Sequence, residues 1–187
     1  MGLHRKINWS FVLLYFVVIL CSSFSNHENV LYKNILKKVK KEISKVFVLE
    51  DFELNPVQIQ PIKELTADFS GNRLLEISSN DIKLGYAYVG TAPSKTETFE
   101  YLVLFDNQFV IKKAKVLLYR ESWGGEIGSK RWLKQFLLKG TNHKFIYRQN
   151  ISAISGATIS VKSMTNAVNE LLSSLNFLSM MILIAQA

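Results

Sequence analysis

Phe99-Glu-Tyr-Leu-Val-Leu-Phe105, then Asp106-Asn107, then the stretch from Gln108 to Tyr119 decides the fold. Aromatic and β-branched residues crowd the first run, and residues tolerant of positive φ follow it, which is the signature of a hairpin. In the second run Val110, Ala114, Val116 and Leu118 alternate with Lys113 and Lys115, as in a strand with one buried face; Lys112 breaks the pattern. Ile82-Lys-Leu-Gly-Tyr-Ala-Tyr-Val89 adds a strand before them, ended by Gly90 and a loop through Pro93. Three sequential strands joined by short links predict an antiparallel meander.

Helical signals flank the strands. Downstream, Ser129 reads as an N-cap, Trp132, Leu133, Phe136 and Leu137 share one face, and Gly140 closes the segment. The stretch Tyr147 to Ile154 reads as a last strand. Ser160 then caps a final helix with Val161, Met164, Val168, Leu171, Leu172 and Leu175 as its apolar stripe. Upstream, Leu31, Ile35, Leu36, Val39, Ile43 and Val46 recur at helical spacing between Asn29 and Phe47, with lysines among them. That is a basic amphipathic helix, read either as a packed helix with a solvated lysine face or as a stalk lying near anionic lipid. Asp51 to Asn80, broken by Pro56 and Pro61, yields no clear elements. The expected class is α+β: an antiparallel or mixed sheet with flanking helices.

The first residues read as an export signal. His4, Arg5 and Lys6 precede an unbroken apolar run from Phe11 to Cys21, and Ser22, Ser23 and Ser25 follow. Such a core is typically ~7–15 residues, against ~20 for a spanning helix. The run from Trp9 to Phe24 lies between the two, nearer the signal, and an uncleaved anchor is the alternative. The organisation expected is therefore signal or anchor over 1–25, basic helix and connector over 26–60, one domain over 61–176 and an apolar tail over 177–187.

Composition removes several functions. The chain of 187 residues is 48% hydrophobic, which is enough for a packed core. Its formal charge is +8, yet no zinc-ligand spacing, recognition helix or aromatic-basic platform accompanies it, so nucleic acid is not an expected partner. Cys21 is the sole cysteine and His4, His27 and His143 are scattered. Disulfide chemistry, iron–sulfur clusters and a metal site are not expected, and any redox agent here is organic.

Ser155-Gly156-Ala157-Thr158-Ile159-Ser160 places small residues and a threonine where a helix begins. Unpaired backbone N–H groups and the helix dipole suit phosphate at such a point, and Gly156 and Ala157 leave the Thr158 hydroxyl accessible. The other reading is an ordinary turn in which Ser or Thr serves as a cap. Upstream lies Glu121-Ser-Trp-Gly-Gly-Glu-Ile-Gly128, a glycine-rich loop holding Trp123.

Ser-Gly-Ala-Thr leading into a helix, with Glu121 to Phe136 ahead of it, resembles the FMN-binding domain family. That family includes the C subunit of sodium-translocating NADH:quinone reductase and the G subunit of Rnf complexes. The resemblance covers Asp81 to Leu175; Ser152 stands where an acidic residue is common, and Trp123 where a proline is usual. It implies FMN joined to Thr158 through a phosphodiester by a flavin transferase, on the outer side of the cytoplasmic membrane or in the periplasm. On a physical reading of the roles, Ser155, Gly156 and Ala157 give access to the attachment point, with Ser160 counted among the cofactor-binding residues. Trp123, Gly124 and Gly125 lie against the isoalloxazine, and Glu121 and Glu126 hydrogen-bond loop amides or influence the flavin's potential. Trp132 and Phe136 read as core rather than flavin contacts.

The function implied is an electron-carrier subunit, not a stand-alone enzyme, passing electrons between a membrane redox subunit and another carrier. A flavin reductase holding FMN noncovalently and a non-redox envelope module are the alternatives. No nicotinamide-binding glycine fingerprint follows a strand, so direct use of a nicotinamide is not expected.

Overall fold

The computed structural model describes residues 32–185; the expected export signal or anchor lies outside the described residues. Packing divides the chain between Lys38 and Val39. Residues 32–38 are helical, with Tyr32, Lys33, Lys37 and Lys38 exposed. In the second unit residues 39–47 are helical (α1), with Val39 and Ile43 fully buried and Lys40, Lys41 and Lys45 exposed. The periodicity and the solvated lysine face are as read.

The second unit is built on five strands in the order of the sequence, all pairs antiparallel: β1 (Glu53–Pro56), β2 (Leu74–Ser79), β3 (Ile82–Pro93), β4 (Thr98–Asp106) and β5 (Ile111–Leu118). The meander is confirmed and gains two strands from the stretch that yielded no elements. Strand β3 also runs past Gly90, because the Tyr101 ring of β4 fills the space where a Cβ would stand, 2.4 Å from its nearest ring atom. Glycine there admits the ring and does not end the strand.

The turn after β4 differs from a two-residue hairpin. The Asp106 carboxylate accepts from the Gln108 and Val110 amides at 3.0 and 2.9 Å, and the positive φ falls on Phe109, not Asn107. Two irregularities then place an extra residue in β5. Leu104 and Phe105 face Lys113 and Ile111, so the register skips Lys112; Glu100 and Tyr101 face Leu118 and Val116, so it skips Leu117. Lys112, the residue that broke the alternation, is thus a bulge residue.

A single buried face was expected, and the sheet buries both. Phe99, Tyr101, Val103 and Phe105 of β4 join the main core with Ala114 of β5 and the helices behind. Leu102 and Leu104 point the other way and are just as buried. Lys115, paired with Leu102 and hence on that second face, binds the buried Glu42 of α1 at 2.6 Å. Residues 39–47 therefore lie over it. Burial pushes the Glu42 carboxyl up, and Lys115, with Lys45 and Lys113 behind it, outweighs this and holds it below its ordinary range.

On the main face, Ser129 caps α2 (Lys130–Leu133), its side chain accepting from the Trp132 amide at 3.3 Å. A 3-10 turn over Lys134–Phe136 continues it and stops there, four residues before Gly140; the left-handed residue is Leu138 at φ 61°. The last helix, α3, spans Thr158–Ala185, and its expected apolar stripe is buried throughout. It continues through the first residues of the apolar tail. No helix among the described residues is long and apolar enough to cross a membrane. Ser174 on α3 accepts from the Thr66 and Ala67 amides at 3.0 and 3.1 Å, which ties the long link between β1 and β2 to the helix.

The expected strand over Tyr147–Ile154 is absent. Only an isolated bridge joins Tyr147 to Ile151. The Asn150 side chain takes the Ile146 amide at 2.7 Å and gives to the Lys144 carbonyl at 3.0 Å, and Arg148 stands at φ 64°. Side-chain bonds of this kind compete with a ladder and make a turn.

Candidate functional site

Strand β5 ends beside α3, and the residues that follow it build one wall of a cleft. Arg120 grips Glu100 with two bonds of 2.8 and 2.9 Å and the Thr98 carbonyl with a third at 2.8 Å, which fixes the chain as it leaves the sheet. Tyr119 and Trp123 lie on that wall. Gly156 to Ser160, the entry to α3, line the same cleft.

That entry explains why this peptide exposes a threonine side chain at the start of a helix. Gly156 takes φ 75°, a left-handed conformation natural to glycine, and turns the chain sharply into the helix. Ala157 is buried and its carbonyl accepts the first helical bond, from Val161 at 2.9 Å. Thr158 is thus the first residue of a 28-residue helix, and it is exposed. The amides of the first turn have no intrahelical acceptor. No acidic residue stands in that turn to neutralise the dipole.

Ser160 was read as the cap and is not. It lies inside the first turn, buried, with its hydroxyl 3.0 Å from that of Tyr119. The helix starts three residues earlier than a Ser160 cap would have it, because small Gly156 and Ala157 make the turn themselves.

The cleft measures about 480 Å³ and is lined by Lys95, Tyr119, Glu121, Trp123 and residues 156–160. Six of the nine residues singled out in the sequence meet there: Glu121, Trp123, Gly156, Ala157, Thr158 and Ser160. Ser155 faces a second cleft of about 730 Å³, with Glu126, Arg131 and Lys134. Gly124 and Gly125 do not line the first cleft. Gly124, at φ 77°, packs on the motif: a Cβ on it would meet the Ala157 Cβ at 2.6 Å. Gly125 opens the 3-10 turn Gly125–Gly128. Lys95 and Tyr119 were missed. The position of Tyr119, directly before the glycine loop, was the available signal; Lys95 comes from the β3–β4 turn and had none.

Glu121 has a definite task. Its carboxylate accepts from the Thr96 amide at 2.7 Å, the Ser94 hydroxyl at 2.7 Å, the Thr96 hydroxyl at 3.0 Å and the Glu97 amide at 3.2 Å. It holds the turn that carries Lys95. The Thr96 amide bond is the chief reason its pKa falls from 4.5 to about 2. A depressed carboxyl stabilises the fold above its unfolded value and loses that contribution as pH falls through the folded one. The Thr96 and Glu97 amide resonances are expected to titrate with a midpoint about 2, not 4.5. In Glu121→Gln that acid transition should be gone; a midpoint at the ordinary value in the wild type would contradict the geometry.

Trp132 and Phe136 are core, as expected. Their rings meet at 5.3 Å, and Phe136 meets Phe145 at 4.8 Å. Trp132 does more than fill space: its indole N–H donates to the Ser152 carbonyl at 2.9 Å, while the Ser152 amide donates to Gln135 Oε1 at 2.8 Å. The short helix so clips both sides of the peptide that leads into the motif.

Among the described residues no cluster of metal-ligating side chains occurs. What the cleft offers fits a flavin mononucleotide. Its volume lies within the ~300–1,000 Å³ of ligand sites. A helix N-terminus faces it for phosphate, and Trp123, 81% exposed, presents an indole at its rim. No curated protein matches the chain. Residues 95–173 match the family model described as FMN-binding domain, which supports flavin binding by this part of the chain.

Proposed function

We propose that the protein is an extracytoplasmic electron-transfer flavoprotein with FMN attached to Thr158 Oγ through a phosphodiester. One observation carries this reading: Thr158 is the exposed first residue of α3 and lines a flavin-sized cleft beside Trp123. Bound FMN supplies one- and two-electron redox chemistry, and the protein sets binding, orientation and potential. Residues 156–158 seat the phosphate at the helix N-terminus, with Lys95 as a nearby cation. Trp123 offers a face on which the ring system stacks. Glu121 holds the Lys95 turn and is saturated by its own partners, so it acts on the flavin through that turn and its charge.

The hydroxyl is accessible to a flavin transferase, and the cleft is open, so an attached flavin can exchange electrons with a membrane redox subunit or another carrier. The apolar run Phe11–Cys21 supports a place on the outer side of the cytoplasmic membrane, by export or by retention as an anchor. The test is co-expression with a flavin transferase, followed by denaturation in SDS and in-gel fluorescence. The expected result is a fluorescent band at the size of the chain. Flavin released by SDS would instead support a reductase with noncovalent FMN, and flavin-free protein a non-redox module.

A further inference from the structure

We propose that Tyr119 is a positioning residue of the flavin site, its hydroxyl latching the loop that carries Trp123 to the first turn of α3. This deepens the covalent-FMN reading and rests on it. The Tyr119 hydroxyl donates to the Trp123 carbonyl at 3.2 Å and lies 3.0 Å from the Ser160 hydroxyl. The protons are sufficient for a directed chain: Ser160 donates to Tyr119, and Tyr119 donates to the carbonyl. Ser160 is buried, so the end of the latch is anchored in the helix two residues after Thr158. The Tyr119 ring is braced by Phe99, centroids 5.8 Å apart at 60°, and itself lines the cleft.

A second contact closes the same seam. Gly124 lies on Ala157 so closely that a Cβ would stand 2.6 Å from the Ala157 Cβ and 3.2 Å from the Tyr119 hydroxyl. Trp123, between the two contacts, has an exposed side chain with no ring contact or hydrogen bond of its own among the described residues. The backbone alone fixes the point from which its indole reaches, and the backbone is held by Tyr119 and Gly124. Ser160 acts through Tyr119. The latch fixes the aromatic wall relative to the hydroxyl that carries the flavin.

The experiment uses the full chain, flavinylated in the cell and purified in detergent, and reads the emission and anisotropy of the attached flavin before and after SDS. An indole stacked on a flavin quenches its emission, so the wild type is dim when native and brightens on denaturation. Trp123→Ala gives the unstacked reference. Tyr119→Phe keeps the ring and removes the hydroxyl; the ratio of unlatched to latched loop should rise roughly two- to tenfold, the worth of one net hydrogen bond. Native emission then moves toward the Trp123→Ala level and anisotropy falls. Ser160→Ala, which leaves the Tyr119–Trp123 bond, should brighten less, and the double variant no more than Tyr119→Phe alone.

Wild-type emission in Tyr119→Phe, with Trp123→Ala bright, overturns the latch and leaves covalent attachment intact. So does a Trp123→Ala as dim as wild type, because the latch would then position nothing that touches the flavin. Should Tyr119→Phe fail to fold, Ser160→Ala decides: intermediate emission supports the latch and wild-type emission overturns it. A wild type without SDS-stable flavin overturns the covalent reading and the latch with it, a result the variants alone do not produce.

Discussion

Thr158→Val is expected to abolish SDS-stable flavin fluorescence completely while leaving the fold standing. Valine has nearly the shape of threonine and lacks only the hydroxyl, so the variant removes the oxygen on which the proposal rests and little else. The position tolerates it: Thr158 is exposed, and it precedes the buried stripe that begins at Val161. A surface change of this kind alters stability by no more than about 0.5 kcal/mol. Thermal unfolding should hence be close to that of the wild-type chain without flavin. Thr158→Ser, which keeps an oxygen at the same place, should retain part of the fluorescence. If the valine variant stayed fluorescent in the gel, the flavin would be on another hydroxyl, and Ser155 and Ser160 would be the first to examine.

The largest effect on stability is expected from Phe136→Ala, at about 3–5 kcal/mol. Phe136 is fully buried, and its ring lies edge-on between Trp132 and Phe145 at 5.3 and 4.8 Å. No neighbour can close the void cheaply, since Trp132 is already held by its bond to the Ser152 carbonyl. The loss should reach the flavin site as well. Trp132 and Gln135 clip the Ser152 peptide, and that peptide leads through Ile154 and Ser155 to Thr158. Denaturant unfolding measures the first effect, and the fraction of chain flavinylated at permissive temperature measures the second. Wild-type stability in this variant would show that the short helix does not belong to the main core.

Much of this arrangement was legible in the residues, for reasons that differ by element. The stripe of α3 was clear because one face of a helix against a sheet keeps its period from Val161 to Leu175. Strand β5 was clear despite its bulges because lysines alternate with apolar residues over most of it. Strands β1 and β2 were not. Leu74 and Leu75 are both buried, on opposite faces, so a sheet covered on both sides erases the alternation that marks a strand. Pro56, which looked like a breaker, ends a short exposed edge strand, where a missing amide costs no inner ladder bond.

The candidate site divides in the same way. Thr158, Gly156 and Ala157 are contiguous, so their chemistry could be read directly. Tyr119 and Lys95 come to the cleft through the hairpins of the sheet, a matter of register that no local pattern records. Ser160 was placed correctly and given the wrong task, because a serine near a helix start looks like a cap whichever way its side chain turns.

The most direct measurement is the mass of residues 149–162, the tryptic peptide that contains the motif, from protein recovered from its native cells. The expected result is that this peptide carries one FMN less one water, with fragmentation placing the addition on Thr158. The same peptide recovered only at its unmodified mass, from protein that is colourless, would contradict it.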